Sequence, residues 1–298
     1  MDFLKRHCKV SGVWLLCMLA LNMAACERPN PETELNAAAT SLSTGNYKDA
    51  AFRLNYVLQQ EPDNIRAREL RGDMALLLGD YANAASDFLL AHELGTPKAA
   101  VALRLVEARL GQGQIDQALE LLRAVESELV DDPLYWTFRA EAMLAGDRLS
   151  EAENSIARVH QIGGGGIRAM TVGARIAFAR GEQAEAFELL GQALDIAPND
   201  ALVRIAHADL LARTDRLTEA AEELQRAADL YREASMGPRE ILSLLGLVQL
   251  HLARNDLGAA EQVAARLAQR APKAQLTSYY QGLVKFRRGD LDEAAGLI

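Results

Sequence analysis

One alanine recurs along almost the entire chain at a fixed interval. It follows shortly after a glycine or aspartate turn, and successive copies lie 34 residues apart except for one interval of 40. The eight copies are Ala50, Ala84, Ala118, Ala152, Ala186, Ala220, Ala260 and Ala294. A constant period of this length indicates stacked copies of one supersecondary unit, each burying the apolar face of its neighbour.

The composition predicts that each unit is helical. Half of the residues are hydrophobic, but only 5% are aromatic, and most of the apolar side chains belong to alanine and leucine. These two residues lose little free energy on entering a helix. With units starting nineteen residues before each alanine, the predicted first residues are Pro31, Ile65, Ala99, Pro133, Ile167, Ala201, Ile241 and Gln275. The six extra residues, Ser235 to Glu240, predict a longer second helix and loop after the sixth unit.

The recurring residue types have physical reasons to recur. Glycine accepts the left-handed backbone that ends a helix, and the alanine permits two helices to cross closely. A small or aliphatic residue follows seven places later on the same helix face. These residues are Val57, Ala91, Val125, Val159, Ala193, Ala227 and Leu267. Pro62, Pro198 and Pro272 stop one unit before the next begins.

These turns resemble those of the tetratricopeptide repeat. The clearest are Gly45-Asn46-Tyr47-Lys48-Asp49-Ala50 and Gly79-Asp80-Tyr81-Ala82-Asn83-Ala84. The resemblance implies an all-α fold, a right-handed superhelix of antiparallel helix pairs over residues 31–298. It would contain seven full repeats and a truncated eighth, with the first helices lining the concave face. Because no polar capping helix precedes Ile298, we expect either a longer protein or an edge that a partner covers.

The amino terminus has the pattern of an export signal. Lys5, Arg6 and Lys9 precede an apolar run of nine residues, Val13 to Leu21, which is too short to cross a bilayer. Residues 1–25 are therefore predicted to be a signal peptide rather than part of the fold.

A possible lipid attachment site follows the signal. Met23-Ala24-Ala25-Cys26 resembles a bacterial lipobox, which implies cleavage before Cys26 and acylation of its thiol. Glu27, in place of aspartate, then implies retention at the outer membrane facing the periplasm, with residues 26–30 as lipidated cysteine and tether. The alternative is an ordinary secretory signal cut near Ala25, with Cys26 incidental.

Charge and cysteine content exclude several functions. The net charge of −9 makes nucleic acid and anionic lipid surfaces improbable partners. Because no cysteine follows Cys26, the mature chain has neither a disulfide framework nor a cysteine-ligated zinc site.

No catalytic, metal or cofactor site is predicted. The five histidines lack metal-ligand spacing, and His207 is expected to be a hydrogen-bonded core residue. Gly163 to Gly166 lacks the strand and Lys-Ser/Thr of a phosphate loop, so an inter-repeat turn is expected. Asp131 and Asp132 are expected to act in a turn and as a helix cap.

The ninth place of each repeat is predicted to point into the concave face. The central entries are Asp73, Glu107, Glu141, Arg175 and Asp209, and three places further on are Leu76, Leu110, Leu144 and Phe178. Four of the five central entries are acidic, which favours a basic or polar segment of a protein partner, with apolar contacts beside it. The alternative is a solvated helix face flanked by core residues.

A narrower resemblance concerns biological role. The opening repeats, with Pro62-Asp63-Asn64, Gly79-Asp80 and Leu94-Gly95, resemble long repeat lipoproteins of the exosortase and PEP-CTERM system. This implies a non-enzymatic scaffold for exopolysaccharide export or sorting of surface proteins. A general envelope assembly adaptor, or the repeat portion of a protein with an enzymatic or sugar-binding part beyond Ile298, are the alternatives.

Overall fold

A computed structural model describes residues 29–297, which form helices and short turns without any strand. The predicted signal peptide over residues 1–25, and Cys26 with most of its tether, lie outside the described residues. The helices are α1 (Pro31–Ser43), α2 (Tyr47–Gln60), α3 (Ile65–Leu78), α4 (Tyr81–Glu93), α5 (Lys98–Gly111), α6 (Ile115–Leu129), α7 (Pro133–Ala145), α8 (Leu149–Gln161), α9 (Ile167–Ala179), α10 (Gln183–Ile196), α11 (Ala201–Arg213), α12 (Leu217–Glu233), α13 (Gly237–Ala253), α14 (Leu257–Arg270), α15 (Gln275–Arg288) and α16 (Leu291–Ala295). Between residues 29 and 297, none of them combines the length and hydropathy that a bilayer crossing requires.

The helices pack as successive hairpins. The largest contacts within a repeat join each odd-numbered helix to the even-numbered helix that follows it. From α1 to α11, each odd-numbered helix also contacts the next odd-numbered helix. The odd-numbered helices therefore lie side by side along one face of an all-α solenoid, which confirms the predicted fold class.

Every repeat turns through one left-handed residue between its two helices. Five repeats use glycine there, as predicted, and three use an aspartate or asparagine, the non-glycine residues that tolerate this conformation best. The positions are Gly45, Gly79, Gly113, Asp147, Gly181, Asp215, Asn255 and Gly289, with φ between 56° and 90°. Because the turn keeps its place in every repeat, the hairpins keep the 34-residue register except across the single 40-residue interval.

The repeat alanines are buried, as expected. Seven of the eight have no exposed surface, and Ala294 is 4% exposed. The residues seven places later, from Val57 to Leu267, are also fully buried. Both positions therefore belong to the core, and the close helix crossing at the alanine stays a prediction.

Repeat starts agree with prediction except in two places. Six helices begin at the predicted residue, whereas α5 begins at Lys98, one residue early, and α13 begins at Gly237, four residues early. The longer second helix predicted for repeat six is confirmed, because α12 has 17 residues. The longer loop was wrong, because the other extra residues extend α13 to 17 residues. Pro238 lies in the first turn of α13, where a missing N–H costs nothing.

We expect Ala118→Leu to destabilise the fold by about 1–3 kcal/mol, because the fully buried Ala118 has no space for a larger side chain. Ala84→Leu should behave in the same way. Ala124→Leu, at an exposed alanine of the same helix α6, is the matched control for Ala118→Leu. Thermal unfolding followed by circular dichroism measures the difference, and equal melting of Ala118→Leu and its control would contradict the inferred helix crossing.

Candidate partner-binding groove

A cavity of about 740 Å³ lies on the inner side of the solenoid and is open to solvent. Helices α3 and α5 form one wall, and α11, α12 and the start of α13 form the other. Its lining residues are Asp73, Leu76, Leu77, Arg104, Glu107, Asn199, Asp200, Ala201, Leu202, Leu230, Tyr231, Ala234, Met236 and Arg239. Seven of these fourteen residues are apolar and seven are charged or polar, so the cavity offers both kinds of contact.

Three of the predicted concave-face residues line this cavity. They are Asp73, Leu76 and Glu107. The other six, Glu141, Arg175, Asp209, Leu110, Leu144 and Phe178, lie on α5, α7, α9 and α11 outside its lining. The cavity is therefore one part of a longer inner face rather than a pocket that gathers all nine residues.

The acidic residues of the inner face are paired with arginines. Arg104 lies 3.3 Å from Asp73, and Arg168 lies 2.6 Å from Glu107. Arg168 and Arg175 each lie 3.6 Å from Glu141. The stripe that looked acidic in the ninth places is thus an alternating row of carboxylates and guanidinium groups.

Two of the three arginines of this row rest on aromatic rings of the core. The guanidinium carbon of Arg104 lies 5.2 Å from the centre of the Phe88 ring, and that of Arg168 lies 4.3 Å from the Phe138 ring. Cation–π contacts of this kind hold an arginine in a defined position. The core therefore positions the charged groups of the groove.

Asp73 is only loosely paired within the row. Burial raises the pKa of the Asp73 carboxyl above its ordinary value, and the nearby Arg104 only partly opposes this. The hydrogen bonds from Arg104 to Asp73 are long, at 3.3 and 3.4 Å. A basic group from a partner would therefore meet a carboxylate that its own neighbour holds weakly.

The predicted apolar residues belong mainly to the core. Leu76 is 8% exposed, and Leu110 and Leu144 pack against the core of repeats three and four. Phe178 packs against the core cluster formed by α9, α10 and α11, and the Arg213 guanidinium lies over its ring. The well-exposed leucines of the cavity lining are Leu77, 45% exposed, and Leu202, 49% exposed.

Sequence models of known families match three segments of the chain. Two models described as tetratricopeptide repeat match residues 75–142 and residues 36–100 and 245–298, together more than half of the chain. The chain belongs to the tetratricopeptide-repeat family. A search of curated proteins found no match to this tetratricopeptide-repeat chain.

Solved structures with the same fold are distant in sequence. The APC/C hetero-tetramer Cut9-Hcn1 gives a TM-score of 0.57 at 14% identity over 89% of this chain, which spans 52% of that chain. A tetratricopeptide repeat protein from Parabacteroides merdae gives 0.55 at 15% identity, over 85% of this chain and 98% of that one. The human IFIT1 dimer with PPP-AAAA gives a TM-score of 0.56 at 14% identity, over 94% of this chain and 74% of that one. These likenesses establish the fold only.

The glycine run and the aspartate pair of this tetratricopeptide-repeat protein have structural roles in turns and helix caps. Gly163 to Gly166 join α8 to α9, and a Cβ on Gly164 would lie 2.4 Å from Pro133 Cβ, so glycine is required there. Asp132 caps α7 by accepting a hydrogen bond from the Leu134 N–H at 2.8 Å. Both expectations of turn and capping roles are confirmed.

His207 was predicted to be a hydrogen-bonded core residue, and the structure shows a different environment for it. His207 packs edge-on against Phe187, and its Nδ1 has no hydrogen-bond partner among the described residues. Burial lowers the pKa of the His207 imidazole, and the carboxylate of Glu223 only partly opposes this. Across residues 29–297, no three His, Cys, Asp or Glu side chains gather in a metal-binding arrangement.

Proposed function

We propose that this chain is a non-enzymatic scaffold that binds other proteins through its inner groove and is held at the bacterial outer membrane by a lipid on Cys26. The observation that carries the groove assignment is the row of paired charges on α3, α5, α7 and α9, which continues into a cavity with accessible leucines. Binding through apolar anchors with polar groups around them is a general mode of segment recognition.

The partner segment that fits this row is extended and carries basic or polar side chains. A basic side chain of the partner can take the place of Arg104 beside Asp73, because that pair is the most loosely bonded of those that line the cavity. Leu77 and Leu202 then offer apolar contact on either wall. Charged pairs in such a groove set specificity and association rate more than affinity.

The membrane anchor is supported by the sequence Met23-Ala24-Ala25-Cys26 after a short apolar run. A diacylglycerol on the cysteine, with further acylation, would hold the protein far more firmly than a single chain, since each buried methylene contributes about 0.8 kcal/mol. A scaffold held this way presents its repeats to proteins in the periplasm.

The biological role that we propose is support of exopolysaccharide export or of PEP-CTERM protein sorting. It depends on the resemblance of the opening repeats to lipoproteins of that system. The second candidate, a general envelope assembly adaptor, uses the same groove and anchor. Genes for exopolysaccharide synthesis beside this one would favour the first role, and genes for cell-wall or outer-membrane assembly would favour the second.

Reversing the groove carboxylates tests the binding face. We expect the triple variant Asp73→Lys, Glu107→Lys and Glu141→Lys to lose most of its capture of native partners from solubilised envelopes, because it leaves Arg104, Arg168 and Arg175 beside new positive charges. The measurement is tagged pull-down with quantitative mass spectrometry.

The control for this experiment has the same change in net charge on other surfaces. Glu120→Lys, Glu188→Lys and Glu222→Lys alter exposed carboxylates on the even-numbered helices α6, α10 and α12. Equal capture by the two triple variants would assign binding to another face of the solenoid.

A further inference from the structure

Arg239 connects two parts of the solenoid that are far apart in sequence. Its Nε donates a hydrogen bond to the Leu77 carbonyl and its Nη2 donates to the Leu76 carbonyl, both at 2.8 Å. The guanidinium also lies 5.9 Å from the centre of the Tyr81 ring. In a solenoid each repeat normally contacts only its neighbours, so a contact between the second and seventh repeats is a distinct feature of this chain.

The acceptor of this contact is suited to a cation. Leu76 and Leu77 lie in the last turn of α3, which ends at Leu78. Carbonyls at a helix carboxyl end lack donors within the helix and carry the negative end of its dipole. Two hydrogen bonds from one charged guanidinium therefore stabilise both the helix end and the approach of α13 to α3.

The six-residue insertion is what places Arg239 there. It lengthens α12 and α13, which pack together about as extensively as the two helices of a repeat. The next residue, Glu240, is 1% exposed and is held by Arg266 at 2.9 Å and Arg270 at 3.1 Å. This buried carboxylate fixes the first turn of α13 against α14, and so fixes the direction in which Arg239 points.

The same contact lies at one edge of the groove cavity, which stays open to solvent at Leu77 and Leu202. Arg239 and Met236 join the wall formed by Leu202 and Tyr231, opposite Leu77 and the groove carboxylates. The Tyr231 side chain is buried, and its hydroxyl has no hydrogen-bond partner in the described part of the chain. Arg239 is one of the charged groups near this hydroxyl, which an entering segment can also bond.

We propose that the insertion acts as a clasp, in which Arg239 holds the carboxyl end of α3 and restricts entry to the groove cavity. Its consequence for partner binding rests on the proposed function, whereas the clasp itself does not. Small changes at each junction between repeats two and seven add up along the solenoid, so the clasp can open without unfolding any repeat. A partner that binds the open state shifts the balance away from the clasp.

Distance measurements test the clasp directly. In the full chain with its three cysteines replaced by serine, spin labels at Phe52→Cys and Leu242→Cys, both exposed, report the separation of α2 and α13. We expect Arg239→Ala to give a longer and broader distance distribution by pulsed electron paramagnetic resonance. Arg254→Ala, which removes a guanidinium just beyond the other end of α13, is the matched control and is expected to leave the distribution unchanged.

Thiol reactivity tests whether the clasp restricts entry. With a single cysteine at Leu202→Cys, we expect Arg239→Ala to speed reaction with a bulky polyethylene-glycol maleimide roughly tenfold, from the loss of charged hydrogen bonds. Reaction with N-ethylmaleimide is expected to change little, because the small reagent enters either state. Arg239→Lys, which keeps the charge but loses the two-pronged geometry, should lie between the two.

The two proposals fail separately. Unchanged distances and unchanged reactivity in a folded Arg239→Ala variant would overturn the clasp and leave the groove assignment intact. If circular dichroism shows that Arg239→Ala has lost helicity, Arg239→Lys becomes the test variant. Distances and thiol reactivity of Arg239→Lys equal to those of the parent would then overturn the clasp. Equal capture by the two triple variants described above would overturn the groove assignment while leaving the clasp.

Discussion

Replacing Phe88 with alanine is expected to lower the free energy of unfolding by about 3–5 kcal/mol. Phe88 is fully buried in the second repeat, and its ring fills the space above Gly72, where an added Cβ would lie 2.8 Å from the ring. The helices α3 and α4 are therefore shaped around this ring, and neither side can collapse readily into the cavity that the substitution leaves.

The same substitution is expected to disturb the groove. The Phe88 ring supports the guanidinium of Arg104, which pairs with Asp73. Phe52→Ala is the matched control, because Phe52 is 71% exposed and its loss should change stability by less than about 0.5 kcal/mol. Denaturant unfolding followed by circular dichroism compares the two, and similar midpoints would show that Phe88 is not the core residue of repeat two.

Replacing Cys26 with serine is expected to abolish incorporation of radiolabelled palmitate and to release the protein from the membrane fraction. Only the thiol of the cysteine after the cleavage site can take the diacylglycerol in a lipoprotein of this kind, so the expected change is complete rather than partial.

Cys17→Ser is the control for the anchor, because Cys17 lies within the apolar run before the proposed cleavage site. It should keep the label. Parent protein without label would favour an ordinary secretory signal cut near Ala25, and label that persists in Cys26→Ser would place the acyl chains elsewhere.

The repeat architecture could be predicted because each hairpin repeats the same local rules. The buried alanine, the left-handed turn residue and the small residue seven places later are all local to one unit. These local rules therefore predicted the first residue of six repeats correctly. They failed at Gly237, since a proline in a first helical turn does not break the helix.

The groove could be predicted only in part, because its chemistry joins different repeats. The ninth-place pattern located Asp73 and Glu107 but not Arg104 and Arg168, which reach them from later inner helices. A comparison of arginines elsewhere on the first helices could have suggested the pairing. The contact of Arg239 with α3 depends on the summed curvature of five repeats, and no local pattern encodes that sum.

Site-specific photo-crosslinking tests most directly whether the inner groove is the working surface of this scaffold. A benzophenone amino acid in place of Leu202 reports contacts in the cavity, and the same residue in place of Phe52 reports contacts on α2. Our account predicts a discrete crosslinked partner from Leu202 in intact cells, lost when Asp73, Glu107 and Glu141 are reversed, and none from Phe52. A partner that crosslinks through Phe52 and is indifferent to the reversed groove would contradict it.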